Sequence, residues 1–251
     1  MKRYLQSSYK LLSFVFFLSI CEGVALYVDN SLLFPRLYDI YSSLKNILNS
    51  PEFFSIIWNT MSRLILSIVL SIIGAIFFAS LSYISSFISV LIKPFIIFLR
   101  TVPTITMIIL VLIWSSTEKV PIFVGMVILF PILYENILGA LKSVDQNLLK
   151  MSKVYNVPLN RIITNIYIPS VYYSIFSNFP SYIGLTFKVV IAGEILSQEN
   201  FSIGGEIFLN KIYLESSNIF AWIIIVIVIN YFLEKGLKYF NTRVNRGKKW
   251  K

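Results

Sequence analysis

Histidine is absent from this chain, and Cys21 is its only cysteine. Those two shortages exclude His/Cys metal centres, Cys-His nucleophilic pairs and internal disulfides by count, and they leave the redox compartment unreadable. Charge is scarce as well: Asp, Glu, Lys and Arg make up 14% of the 251 residues, against about 25% in soluble domains. No G-x-x-x-x-G-K-[ST] phosphate loop is present, so the chain has no recognisable way to hold ATP. Neither a nucleophile elbow nor an acid/base constellation appears. No internal repeat, low-complexity tract or linker divides the sequence, which therefore reads as one domain.

Apolar residues are abundant: 57% of the chain is hydrophobic and the mean hydropathy is +0.76. Windows of about 18 to 25 residues with little or no charge are long enough to cross roughly 30 Å of hydrocarbon. The pattern predicts an all-α membrane protein with six transmembrane helices: Leu11 to Val28, Phe54 to Ser80, Ile88 to Trp114, Val120 to Gly139, Ile163 to Leu196 and Ile219 to Leu237. The fifth is long enough to be broken or tilted. Lys2, Arg3 and Lys10 ahead of "LLSFVFFLSIC" imitate a lipoprotein signal peptide. Ile20 is too large for the usual cleavage site, however, and the apolar run resumes in "GVALYV", so an uncleaved anchor is expected. The 15 Tyr and 21 Phe fit interfacial belts and packing.

Lys and Arg crowd the N-terminus, Lys93, the loop with Lys142, Lys150, Lys153 and Arg161, and the tail from Lys235 to Lys251. The positive-inside rule makes that side cytoplasmic, with both termini inside. The net charge of +10 is thereby explained by cytoplasmic edges, with no nucleic-acid partner required. The outer connections are acidic, with Asp29, Asp39, Glu52, Glu118, Glu199, Glu206 and Glu215. In the first of them, "YDIYSSLKNIL" before Asn-Ser-Pro predicts a helix lying at the outer interface.

One long segment breaks the apolar pattern: "SVDQNLLKMSKVYNVPLNRIITNIYIP", residues 143–169. Ser143 and Gln146 form a Ser-x-x-Gln capping box, with Asp145 adding favourable charge in the first turn. Val144, Leu148, Met151 and Tyr155 make an apolar stripe at i, i+4, i+7 and i+11. Asn156 suits a left-handed C-cap, and Pro158 opens a second helix from its first position. On these residues alone, the helix either lies on lipid headgroups or is held by a partner.

The same segment resembles the cytoplasmic "EAA" loop of ABC importer permeases, E-A-A-x3-G-x9-I-x-L-P. Lys150, Met151, Ser152, Asn156, Ile166, Ile168 and Pro169 fall on its positions with every spacing kept, although Lys150 reverses the charge of the motif's glutamate. "FLRTVPTITMIILVLIW", "FPILYENILGALKSVDQNLL" and "GLTFKVVIAGEIL" extend the resemblance, from about Asn59 to Arg243, to permeases of the nitrate/taurine/sulfonate class. That resemblance implies a type I ABC importer permease (MetI-like) fold. Residues 1–58 then form an N-terminal transmembrane helix with an outer interfacial helix, and 59–251 the permease domain with its coupling loop at 143–169. It also implies a bacterial inner-membrane location, a second permease copy as a homodimer, two ATP-binding subunits that hold ATP for a chain with no cofactor of its own, and an extracytoplasmic solute-binding protein.

On this reading Leu148, Met151 and Tyr155 anchor the ATPase dock, Lys150, Lys153 and Arg161 sit at its rim, and Asp145, Ser152 and Asn156 shape the helix. Ionisable groups at membrane depth are costly and count as functional candidates: Arg63, Arg100, Glu135, Lys188 and Glu194. Glu135 and Glu194 are placed toward membrane edges within reach of water, Arg100 and Lys188 deeper. Six residues separate Lys188 from Glu194, about 120° on a regular helix, so the two do not bridge without distortion. Either cation could instead pair with a carboxylate of another helix. Prolines at 94, 103, 131, 169 and 180 mark expected bends. "RTVPT", with Arg100, Thr101, Pro103 and Thr104, and the middle of the fifth span, with Lys188 and Glu194, are the expected translocation lining. A cationic path suits a small anionic solute. The competing readings are an ATP-independent secondary transporter, which inverted repeats would mark, and an intramembrane enzyme, which a reactive constellation would mark.

Overall fold

The computed structural model describes residues 12, 16, 19, 20 and 22–246. Most of the predicted first span lies outside these residues; within it, 22–28 are helical. Every regular element among the described residues is a helix. We number them α1 (Leu37–Asn49), α2 (Phe53–Ile84), α3 (Ser86–Thr101), α4 (Thr104–Trp114), α5 (Val120–Lys142), α6 (Gln146–Val154), α7 (Leu159–Ile162), α8 (Ile168–Ser177), α9 (Phe179–Ser197), α10 (Ile203–Ile212) and α11 (Ser216–Arg246), with a π-turn at Ile163–Tyr167 between α7 and α8. Four stretches are long and apolar enough to cross a membrane: α2, Thr117–Lys142, α9 and Ser216–Leu237 of α11. A fifth arises if α3 and α4 count as one span, although they meet at 107°.

That bend falls at Pro103, one of the expected positions, and divides the predicted third span into two helices. Pro103 lacks an amide hydrogen and takes an extended backbone (φ −57°, ψ 138°), so it cannot continue the helix from Thr101. The predicted fifth span is likewise divided. The π-turn interrupts it at Ile163–Tyr167, and Asn178 separates α8 from α9 with Pro180 in the first turn beyond. By contrast, Pro94 and Pro131 sit inside the uninterrupted α3 and α5. The turn before α3 is made by Ser85, whose hydroxyl accepts from the Ile88 amide.

The α2–α5 pair is the centre of the bundle. Ser67, Ser71, Ala75 and Ala79 recur every four residues on α2 and are all buried, which lets the backbones approach closely. Ser67 Oγ donates to the Ile122 carbonyl at 3.1 Å and Ser71 Oγ to Met126 at 3.2 Å. Farther along, Tyr134 donates to Ser82 at 2.9 Å, so α2 and α5 run in the same direction. The reverse direction of α8 and α9 follows from Ser174 bonding Asn136, Ser170 bonding Ala140, and Gly193 lying against Pro121. Leu129, Leu133, Ile137, Phe187 and Val190 fill the space between these helices. The first connection does contain the predicted helix: α1 ends at Asn49, with Ser50 as its cap, and packs on α11.

Candidate functional site

The polar insert leaves the bundle at the C-terminal end of α5. Its helix forms, but the capping residue is not the expected one. Ser143 completes α5 in a helical conformation, its hydroxyl donating to the Ala140 carbonyl at 2.9 Å, so it is not free to begin α6. Asp145 takes that place, and its carboxylate accepts from the Asn147 amide at 2.8 Å. The other end behaves as expected. Asn156 is left-handed at φ 49°, and the Val157 amide returns to the Ser152 carbonyl at 2.9 Å, closing the last turn. Pro158 is the extended residue before α7 rather than its first helical one.

The apolar stripe divides in space. Val144 is buried, whereas Leu148, Met151 and Tyr155 are 50%, 55% and 75% exposed and are joined by exposed Val154 and Leu159. Ser152 is buried instead, its hydroxyl donating to the Leu149 carbonyl at 2.8 Å. Lys150, Lys153 and Arg161 are exposed, and among the described residues no carboxylate lies within ion-pair distance of them. Between α6, α7 and the π-turn opens a cleft of about 690 Å3 lined by Leu149, Lys150, Lys153, Asn156, Ile162 and Tyr167, among others. The Tyr167 hydroxyl is 2.9 Å from that of Tyr83, which ties the cleft to the end of α2.

The expected path residues fall in three places. Arg100, Thr101, Pro103 and Thr104 gather at the α3–α4 bend, where Arg100 is ion-paired across to Glu135 of α5 with both side chains about half exposed. Lys188 is exposed on an otherwise buried helix: Ser181, Leu185, Lys188 and Leu196 form one open stripe along α9. No carboxylate pairs with Lys188 among the described residues.

Glu194 is elsewhere, and the expectation that water reaches it is corrected. It is 0% exposed, at the end of α9 nearest the start of α5. Arg63 of α2 forks between Glu194 (3.1 Å) and Glu199 (2.8 Å). Thr60 donates to Glu194 at 3.1 Å and accepts from the Ile203 amide, while the Gly204 amide also donates to Glu194 at 3.1 Å. The carboxylate therefore sits on the N-terminus of α10, where freed amides and the helix dipole favour negative charge. These bonds offset the cost of burying it. A Cβ at Gly204 would lie 2.4 Å from that of Glu194, so only glycine permits the approach. One turn on, Glu206 is half-buried; burial first and the nearby Glu52 second push its carboxyl above the usual range.

Reading the sequence found Arg63 and Glu194 but missed Thr60, Glu199, Gly204 and α10 itself. The available signal was the cost of Arg63, which demanded a counter-charge from another element.

The family model for the binding-protein-dependent transport system inner membrane component matches residues 67–246. No curated protein matches the chain.

Proposed function

Since the chain belongs to the family of binding-protein-dependent transport system inner membrane components, and is thus a permease component of an ABC importer without its own ATPase site, we propose that α6 is the handle through which a cytoplasmic ATP-binding subunit moves it. The carrying observation is the exposed arc of Leu148, Met151 and Tyr155 on a helix capped at both ends. At about 100° per residue, this arc centres roughly 100° around α6 from Leu149 and Ser152, which line the cleft between α6, α7 and the π-turn. The arc is open and apolar, the form that a groove on a partner protein receives.

Motion at α6 has a physical route into the membrane. The π-turn replaces regular helical bonding at Ile163–Tyr167, and such irregular turns serve as hinges. Beyond it, α8 and α9 meet at Asn178, and Tyr167 reaches Tyr83 of α2. Displacing α6 therefore pulls on α2 and on the α8–α9 joint together.

We assign Arg100, Thr101, Pro103, Thr104 and Lys188 to the lining of the path, with Glu194 holding the end of α9 from behind. The exposed cationic Lys188 and the half-exposed Arg100 suit a small anionic solute, in keeping with the nitrate/taurine/sulfonate class. Half-exposed charges at this depth are disfavoured against lipid, which supports a second copy of the chain closing the path as a homodimer. A solute-binding protein would deliver from the acidic face, with both termini in the cytoplasm.

The test is capture of the ATP-binding subunit that serves this permease. Met151→Asp with Tyr155→Asp is expected to abolish co-purification while the permease itself stays monodisperse. Unchanged capture would contradict the docking role of α6.

A further inference from the structure

At the end of the bundle opposite α6, the start of α1 and the turn between α10 and α11 enclose a pocket of about 400 Å3, within the roughly 300–1,000 Å3 of clefts that hold ligands. Asp39, Glu215 and five serines line it, and no lysine, arginine or aromatic residue does. Its oxygens are short of donors. Asp39 accepts from the Arg36 amide at 3.3 Å and Glu215 from the Asn218 side chain, which leaves one oxygen of each without a hydrogen bond among the described residues. Ser43 is the sharper case: it is 8% exposed, yet its hydroxyl makes no hydrogen bond among the described residues. Buried serines of α2 turn back onto the carbonyl four residues earlier, as Ser67 and Ser71 do at 2.8 and 2.7 Å. A buried hydroxyl without a partner is costly, so Ser43 calls for one in the pocket it lines.

Depth and chemistry say what that partner is. Phe34, ahead of α1, meets Phe220 at 5.6 Å between ring centroids, and Phe53, the first residue of α2, stacks on Trp222 at 6.3 Å. Phe220 and Trp222 differ by only about 3 Å in height along α11, so α1 lies across that helix as an interfacial helix does. The pocket wall at Ser216 is also where the apolar span of α11 begins. The pocket therefore opens at the level of lipid headgroups. Carboxylate and hydroxyl oxygens around one space attract a cation, and a primary ammonium brings them three N–H donors. A quaternary ammonium brings none and is held by aromatic faces, which this pocket lacks. Arg36, whose exposed partner is Asp29 at 3.2 Å, lines an adjoining hollow that shares Ser31 and Asp39 with the pocket, so a cation stands beside it for a phosphate.

We infer that this pocket binds the ethanolamine headgroup of a phospholipid, its ammonium on Asp39, Glu215 and Ser43 and its phosphate toward Arg36. A lipid held there fastens α1 to the turn between α10 and α11, independently of the docking role of α6.

The experiment compares thermal unfolding of the full chain in nanodiscs of phosphatidylcholine alone and in nanodiscs with equal parts phosphatidylethanolamine. The parent midpoint is expected to rise by several degrees with the ethanolamine lipid. Asp39→Asn with Glu215→Gln is expected to lose that rise, and Ser43→Ala to reduce it; because the rise is read within each variant, any cost of the substitution to the fold cancels. Native mass spectrometry of the purified parent needs no variant: retention of ethanolamine lipid over choline lipid is expected, and equal retention would overturn the site. So would a rise that the double variant keeps in full, which would be a property of the bilayer. An equal rise from magnesium ions or free ethanolamine phosphate in choline-only nanodiscs would assign the pocket to a soluble ligand and overturn the lipid assignment.

Discussion

Where α2 passes the end of α9, Arg63 is enclosed between Glu194 and Glu199; beyond the far end of α5, Lys150 and Lys153 stand in the open with no ion pair among the described residues. The two regions lie about 30 Å apart along α5 at 1.5 Å per residue. Each is unusual for a chain so poor in charge, and the contrast separates two uses of an ion. A buried charge with every partner in place fixes the relative position of helices. An exposed charge without one is left for something outside the chain.

The largest effect should come from breaking the buried side. Arg63→Met strands two carboxylates and is expected to cost about 3–5 kcal/mol, seen as a collapse of monodisperse protein in detergent. Adding Glu194→Gln and Glu199→Gln to that variant removes the stranded charge and should recover most of the loss; no recovery would show that the ions do more than hold helices together. Gly204→Ala forces a Cβ against Glu194 and α9, and overpacking of this kind costs about 1–3 kcal/mol. A thermal-unfolding midpoint several degrees lower would register it.

Smaller effects sharpen the comparison. Glu206 has a raised carboxyl pKa because of burial and Glu52, so its ionisation opposes folding once the pH exceeds the unfolded value of about 4.3. Glu206→Gln should therefore raise the midpoint at pH 7 and leave it unchanged below about pH 4. The group is half exposed, so solvent screening limits the gain to under about 0.5 kcal/mol. Smallest of all, Lys150→Gln with Lys153→Gln should leave stability within about 0.5 kcal/mol of the parent, since those exposed side chains make no ion pair among the described residues.

How much of this was legible in the sequence depends on how far apart the interacting residues lie. The exposed helix was legible because its rules are local: a stripe repeating over eleven residues, and an asparagine able to turn left-handed at its end. Even there the cap moved from Ser143 to Asp145, because α5 ran three residues past its predicted stop and Ser143 was consumed in finishing it. Both broken spans contain prolines, yet Pro94 and Pro131 bend nothing severely enough to end a helix; the outcome depends on packing that local pattern does not carry. The buried cluster was the least legible. Arg63 and Glu194 are 131 positions apart, and α10 is too short and too weakly patterned to stand out between two longer apolar runs.

The central claim is that α6 faces the cytoplasm and is covered there by another protein. Replacing Cys21 with serine removes the only cysteine, and Met151→Cys then provides a single thiol on the exposed arc. The direct measurement is its labelling by a membrane-impermeant maleimide in intact cells and in inside-out vesicles, with and without the ATP-binding subunit. The account predicts no labelling in cells, full labelling in vesicles, and protection when the subunit is bound. Labelling from outside the cell, or equal labelling with and without the subunit, would contradict it.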